Sequence, residues 1–298
     1  MKALFDEVLE RIRPSENETA KINKIYNDLK NEITKQNLNP LIVGSIAKGT
    51  NLKGADIDLF IRFDEDADLK NEGLKVARKI LPDGKELYAQ HPYLRGEIEG
   101  IGIDLVPCHT IKDSSKPISA VDRTPFHTKW VNENIDGRED EVRLAKQFLK
   151  GAGAYGANAA IGGFSGYLVE ILIIKYKNFK DLIQEISLWK PPVIIENVEN
   201  APKAAMMIRD PVDEKRKNKK LQQKISTDRV NYEPVQVKEC VSESVQWFRY
   251  FSPQGKVRET EASLHLLKSN VFGNTGRKPF SFLDKKGMHE ILCNVLSK

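Results

Sequence analysis

Asp56 and Asp58 stand on alternate positions of the apolar run ADIDLFIRF, a short way after the pair Gly44-Ser45. In a strand, residues i and i+2 point to the same face. Two carboxylates held there repel each other and cost stability if buried unpaired. A divalent cation such as Mg²⁺, which prefers hard oxygen ligands, turns that cost into binding. Asp104, a lone acid inside the apolar run GIDLVPC, is the candidate third ligand from a neighbouring strand. Two ions bridged by such acids can activate an attacking hydroxyl and stabilise a leaving pyrophosphate. The Gly44-Ser45 turn supplies the phosphate half of that chemistry. Glycine lets backbone approach a phosphate closely, Ser45 adds a hydroxyl donor, and Lys48 can meet the charge. The P-loop pattern GxxxxGK followed by Ser or Thr is absent from the sequence. A solvated strand edge beside an ordinary turn would explain either motif alone; their coincidence with Asp104 favours a site.

The elements that must position these residues read as follows. Residues 2–13 have helical apolar spacing, and Ser15 or Asn17 can cap a second helix reaching about Gln36. PLIVGS is a short buried strand ending in a turn, and DIDLFIRF is a second strand with alternating Asp56, Asp58, Phe60 and Arg62. Residues 69–82 predict a helix. ELYAQHPYLRGEIEGIGIDLVPC predicts two or three strands separated by Gly turns, closing a small mixed domain near Gly137. From Glu139 the pattern is helical, with Gly151 as the stop. A Gly/Ala-rich connection leads to a long buried helix over 164–177 and its continuation, more a core element than a site. Strand, loop, strand and a basic turn follow, and the signal weakens after about Leu221.

Charge permits a polyanionic partner without requiring one. The 298 residues carry 47 Lys and Arg against 42 Asp and Glu, a net charge of +5 and a pI near 8.9. The excess is concentrated at Lys215, Arg216, Lys217, Lys219 and Lys220, and again at Arg277, Lys278, Lys285 and Lys286; such runs are often only solvated faces or linkers. Cys108, Cys240 and Cys293 form no CxxC pair, so neither a zinc knuckle nor a disulfide framework is indicated. No apolar run approaches the ~18 residues of a membrane span, and the N-terminus lacks a signal-peptide core. A cytoplasmic protein with no membrane association is expected.

The Gly-Ser turn, the acid-x-acid pair and the further strand acid resemble the nucleotidyltransferase superfamily of DNA polymerase beta. GSIAKGTNLKGADIDLFIRF, YAQHPYLRGEIEGIGIDLVPC, SAVDRTPFHTKW, FLKGAGAYG, GFSGYLVEILIIKY and DPVDEKR are, in order, similar to blocks of the archaeal class I CCA-adding enzymes. The resemblance spans residues 40–218 of the chain. It implies that Asp56, Asp58 and Asp104 hold two Mg²⁺ ions, and that Ser45, Lys48, His127, Lys146 and Tyr155 contact the incoming nucleotide. It places His91 near the nucleotide or the RNA 3′ end and gives Arg216 a share in reading the base edge of CTP or ATP. Taken alone, Lys146 reads as a surface lysine, the two histidines as satisfied structural residues and Arg216 as solvated. Lys48 stands where an Arg is common in the family, exchanging a bidentate contact for a point charge. Thr128 stands in place of a frequent second His.

The expected fold is therefore α+β. A polymerase-beta-like head with a mixed sheet spans 1–137, and a helical, nucleotide-binding neck spans 138–190. A small RNA-binding body over 191–298 is shorter than the family's usual long tail. The expected activity is addition of CCA to the tRNA acceptor end from CTP and ATP. The alternatives are a transferase of partial scope (CC or A only), another RNA acceptor, or a non-catalytic RNA-binding derivative. The shortened end leaves room for a homodimer or a partner chain that supplies the tail's function.

Overall fold

The computed structural model describes residues 2–88, 92–151, 154–157, 163–186, 189, 193–195 and 206–212. These fall into two compact units, one of residues 12–139 with 211–212 and one of residues 2–11 with 140–210. His91, Arg216, the basic runs, Cys240, Cys293 and all expectations for residues beyond 212 lie outside the described residues.

The first unit begins where helix α1 (Lys2–Ile12) ends and α2 (Glu16–Lys35) starts. Ser15 is the cap: its hydroxyl accepts from Glu18 N at 3.1 Å and satisfies one orphan donor of the first turn. Ile22, Ile25, Leu29 and Ile33 recur at helical spacing and are buried against a five-stranded sheet. That sheet comprises β1 (Asn39–Val43), β2 (Ile57–Phe63), β3 (Lys85–Tyr88), β4 (Pro92–Ile98) and β5 (Ile101–His109), in the order β1-β2-β5-β4-β3. β2 and β5 run parallel, and the other neighbours are antiparallel. Alternation sorts β2 cleanly. Ile57, Leu59, Ile61 and Phe63 enter the core with α2, while Phe60 joins Val43, Val106 and Cys108 in a smaller cluster on the opposite face. Each such aliphatic side chain contributes about 1.5–3 kcal/mol on full burial. The same burial pushes the Cys108 thiol up to about 12, which leaves it inert.

Two elements differ from the sequence expectation. The single helix expected over 69–82 is a π-helical turn, Leu69–Gly73, running into α4 (Leu74–Ile80). Asp68 holds the start by accepting from Lys70 N and Asn71 N at 3.0 and 3.2 Å. At Gly73 the backbone passes so close to Pro107 that a methyl group there would lie 2.7 Å from its Cβ. The second difference is α5 (Thr124–Asn134), whose face carries few apolar residues and so shows little helical periodicity in the sequence.

In the second unit, α6 (Glu139–Gly151) is followed by α7 (Gly166–Tyr176), α8 (Phe179–Ile186) and a parallel pair, β6 (Val193–Ile195) and β7 (Met206–Ile208). Phe179 receives Phe5 and Phe148 edge-on at centroid distances of 5.6 and 5.7 Å. Among the described residues, no helix is long and apolar enough to cross a membrane.

Candidate active site

The strand register assembles the acids. Val43 pairs with Asp58, Asp58 with Asp104, Asp104 with Arg95, and Arg95 with Lys85, so these residues form one row across the sheet. Directly paired residues share a face, so Asp58, Asp104 and Arg95 all project from the side opposite α2. Asp56 joins them from two positions before Asp58.

Two glycines make room for the carboxylates. At Gly44, with φ of +71°, a methyl group would collide with the Asp58 carboxylate. At Gly102, inside β5, it would collide with the carboxylate of Asp56. Gly102 has an ordinary backbone, so only the missing side chain is at stake there. Gly102→Ala is therefore expected to displace Asp56 while leaving the fold intact. Urea unfolding should shift by no more than about 1–2 kcal/mol, while Mn²⁺ affinity measured by EPR should fall at least about tenfold. Unchanged affinity would mean that Asp56 is not held by this gap.

Burial is the largest cause pushing Asp58 up to about 7, followed by repulsion from Asp104 and then Asp56; Lys48 and Arg95 act against it. Burial also raises Asp104, which is opposed by Arg95. Three crowded hard-oxygen donors, one resisting ionisation, are the chemistry a divalent cation relieves, and on that ground the donor set fits one. Among the described residues, no group of three His, Cys, Asp or Glu side chains is arranged as a metal cage. Arg95 reaches between two of these acids. Its Nη1 donates to both Asp104 oxygens at 3.1 Å, and its Nη2 donates to Asp56 Oδ2.

Ser45 and Lys48 sit on the turn leading from β1. Residues 44–47 form the short helix α3 (Gly44–Ala47), closed by Thr50 N donating to Ser45 O at 2.9 Å. Lys48 is buried at its end and acts electrostatically on Asp58. His127 lies on α5, which packs on β1 and α3 and donates from Asn132 Nδ2 to Ala47 O at 3.2 Å. A buried carboxylate fixes where α5 begins. Asp122 accepts from His109 N, Ser119 N, Ser119 Oγ and Ile118 N at 2.5–3.1 Å, and its Oδ2 faces His109 Nδ1 at 3.3 Å. Sequence reasoning overlooked Asp122, although the spacing Ser119 to Asp122 is a capping-box signal.

Lys146 and Tyr155 belong to the second unit. They meet at the first turn of α7, where Ser165 caps Leu168 N at 3.1 Å. A methyl group on Gly166 would lie 3.1 Å from Tyr155 Oη and 3.7 Å from Lys146 Nζ. An ammonium, a phenol and a helix N-terminus in one place suit an anion. Lys146 is not a surface lysine: it is 1% exposed, and its Nζ donates to the fully buried Glu170 at 3.0 Å. Beside it Tyr167 Oη donates to Asp210 Oδ1 at 3.1 Å, and burial is the first cause raising that phenol. Sequence reasoning did not single out Arg95, Gly102, Glu170 or Tyr167, which the structure places against these residues.

Residues 22–127 match the family profile described as nucleotidyltransferase domain, and 140–247 match that described as tRNA nucleotidyltransferase, second domain. The chain is 45% identical over 219 residues to the CCA-adding enzyme of Thermoplasma volcanium, covering 70% of this chain and 50% of that one. It is 42% identical to a Thermoplasma acidophilum CCA-adding enzyme, covering 70% of this chain and 98% of that one. It is 37% identical over 222 residues to the Archaeoglobus fulgidus enzyme, covering 72% and 51%. The chain thus spans about half the length of the T. volcanium and A. fulgidus relatives. Among solved structures, the E. coli MS115-1 CdnC:HORMA-deltaN complex superposes with a TM-score of 0.60 at 16% identity, covering 91% of this chain and 96% of that one. The polymerase core of TRAMP superposes with a TM-score of 0.57 at 16% identity, covering 99% and 93%. These structural likenesses speak for the α+β nucleotidyltransferase fold.

Proposed function

The chain belongs to the archaeal CCA-adding enzyme family, and from that membership we propose that it adds C, C and A to the 3′ end of tRNA, using CTP and ATP and releasing pyrophosphate. The observation that carries the reading is the row of Asp58 and Asp104, with Asp56 beside them, on one sheet face behind the Gly44-Ser45 turn.

The family is metal-dependent, and we assign Asp56, Asp58 and Asp104 as the holders of two Mg²⁺ ions. Such ions, when bound, supply positive charge to the reacting phosphate and the leaving group. The remaining work falls to the chain. The terminal 3′-oxygen of the RNA attacks the α-phosphorus, and a new P–O bond forms as the bond to pyrophosphate breaks. Asp104, raised by burial, is the carboxylate assigned to take the hydroxyl proton. Ser45 and Lys48 bind the triphosphate from the turn after β1. Lys146 and Tyr155, gathered at the start of α7, are the residues assigned to nucleotide contacts within the second unit. His127 orients the nucleotide from α5, and His91 and Arg216 serve the RNA end or the base edge. The acceptor is read through its backbone and shape, so binding weakens with salt.

The test is extension of a radiolabelled tRNA lacking CCA, with Mg²⁺ and CTP, ATP or both. Growth by three nucleotides that then stops is the expected result. Growth by C or A alone would restrict the activity to a partial one. No growth by a protein that still binds CTP or ATP would reject tRNA as the acceptor.

A further inference from the structure

Arg95 is bonded directly to two of the site's acids, and its contacts are specific. β4 pairs Arg95 with Asp104 on β5, so the planar guanidinium lies across the strand gap and reaches both Asp104 oxygens at 3.1 Å with Nη1. Nη2 points onward to Asp56 Oδ2. One side chain thereby ties two of the three expected metal ligands, Asp56 just ahead of β2 and Asp104 on β5, which are 48 residues apart in sequence. A lysine could not do this, because its ammonium is a point donor without the fork. The Asp56 and Arg95 side chains remain 38% and 41% exposed, so the bridge is open to small ions from solvent.

We infer that Arg95 is an internal stand-in for the divalent cation. It holds Asp56 and Asp104 together in the metal-free protein and competes with metal for them. Two considerations carry this. Carboxylates this crowded need a positive partner, and Arg95 supplies it by direct hydrogen bonds to two of the three. A cation held by the same two carboxylates draws on the negative charge that Arg95 neutralises, so its binding competes with the bridge. A protein whose binding-competent state is only partly populated shows an apparent Kd weakened by that fraction. Arg95 therefore sets the metal affinity without being a ligand. It is a positioning residue, distinct from the catalytic acids.

The inference rests on the reading that the three aspartates take a divalent cation, and the experiment separates the two. Mn²⁺ binding is titrated by EPR on the full chain without RNA or nucleotide, in wild type, Arg95→Met, Arg95→Lys and Asp58→Asn. Thermal unfolding in EDTA and in saturating Mg²⁺ is measured beside it. Arg95→Met is expected to bind Mn²⁺ about tenfold more tightly than wild type. It should unfold at a lower temperature in EDTA and recover in Mg²⁺. Arg95→Lys keeps the charge but loses the fork, and should fall between the two. Equal affinity in Arg95→Lys and wild type would show that Arg95 acts only as a nearby charge, which overturns the stand-in role. Unchanged or weaker binding in Arg95→Met would overturn it as well. Mn²⁺ binding unaffected by Asp58→Asn would instead overturn the assignment of the metal to these acids.

Discussion

Asp58→Asn is expected to lower nucleotide addition at least about a thousandfold, about 4 kcal/mol of barrier, while making the metal-free protein more stable at pH 8. Both effects have one cause. Asp58 is pushed up to about 7, first by burial and then by Asp104 and Asp56. Its folded pKa thus lies above the ~3.9 of an unfolded aspartate. Such an acid contributes stability that is fully present below about pH 4 and is lost as pH rises through about 7. At pH 8 the ionised carboxylate burdens the metal-free fold, and the neutral amide removes that burden. Allowing for the solvent that reaches the group and for the opposing charges of Lys48 and Arg95, the gain is on the order of 2 kcal/mol. Urea unfolding in EDTA would show it at pH 8 and show it shrinking towards pH 4. Adding Mg²⁺ at pH 8 should reverse the order, because only the carboxylate gains from the cation. Wild-type turnover in Asp58→Asn would remove Asp58 from the chemistry. A stability difference independent of pH would mean that Asp58 does not titrate in this range.

The acids were legible because a strand's period of two is visible in one dimension. Asp58 lies in β2 as the alternation suggests, Asp56 stands just ahead of the strand rather than in it, and Asp104 interrupts an otherwise apolar run. Arg95 was not legible. Its position opposite Asp104 depends on the register of β4 on β5, and in YLRGEIEG it resembles any solvent-facing arginine. The glycines divide in the same way. The sequence suggests turns throughout GEIEGIGID, and the turn is at Gly100, with φ of +79° after Glu99 at +50°. Gly96 and Gly102 lie inside strands, where a methyl group would press on Leu81 and Asp56 respectively. A one-dimensional pattern shows that a glycine breaks the alternation; it does not show what fills the space. Helix α7 illustrates a third limit. Its apolar composition reads correctly as core, and Glu170 is fully buried within it. Its partner Lys146 lies on α6, and no local periodicity links a charge on one helix to a charge on the next.

That pair gives the second large effect. Lys146→Met leaves Glu170 buried without its ammonium, and Glu170→Met leaves the Lys146 charge buried without its carboxylate. Removing one member of a buried ion pair typically costs about 3–5 kcal/mol, whereas replacing both with apolar residues of similar volume is often close to neutral. Each single variant is therefore expected to lose about 3–5 kcal/mol in urea unfolding, and the double variant to regain most of it. The coupling is read from the cycle. The double variant also separates two roles that the single variants confuse. If Lys146 meets the triphosphate at the first turn of α7, the restored fold should still show a KM for CTP and ATP raised about tenfold or more. A stable double variant with wild-type KM would make the pair a core element and leave Tyr155 and the α7 N-terminus as the anion site in that unit. Additive losses in the two single variants would sink the ion pair itself, because a 3.0 Å contact between buried charges cannot be broken twice at full cost.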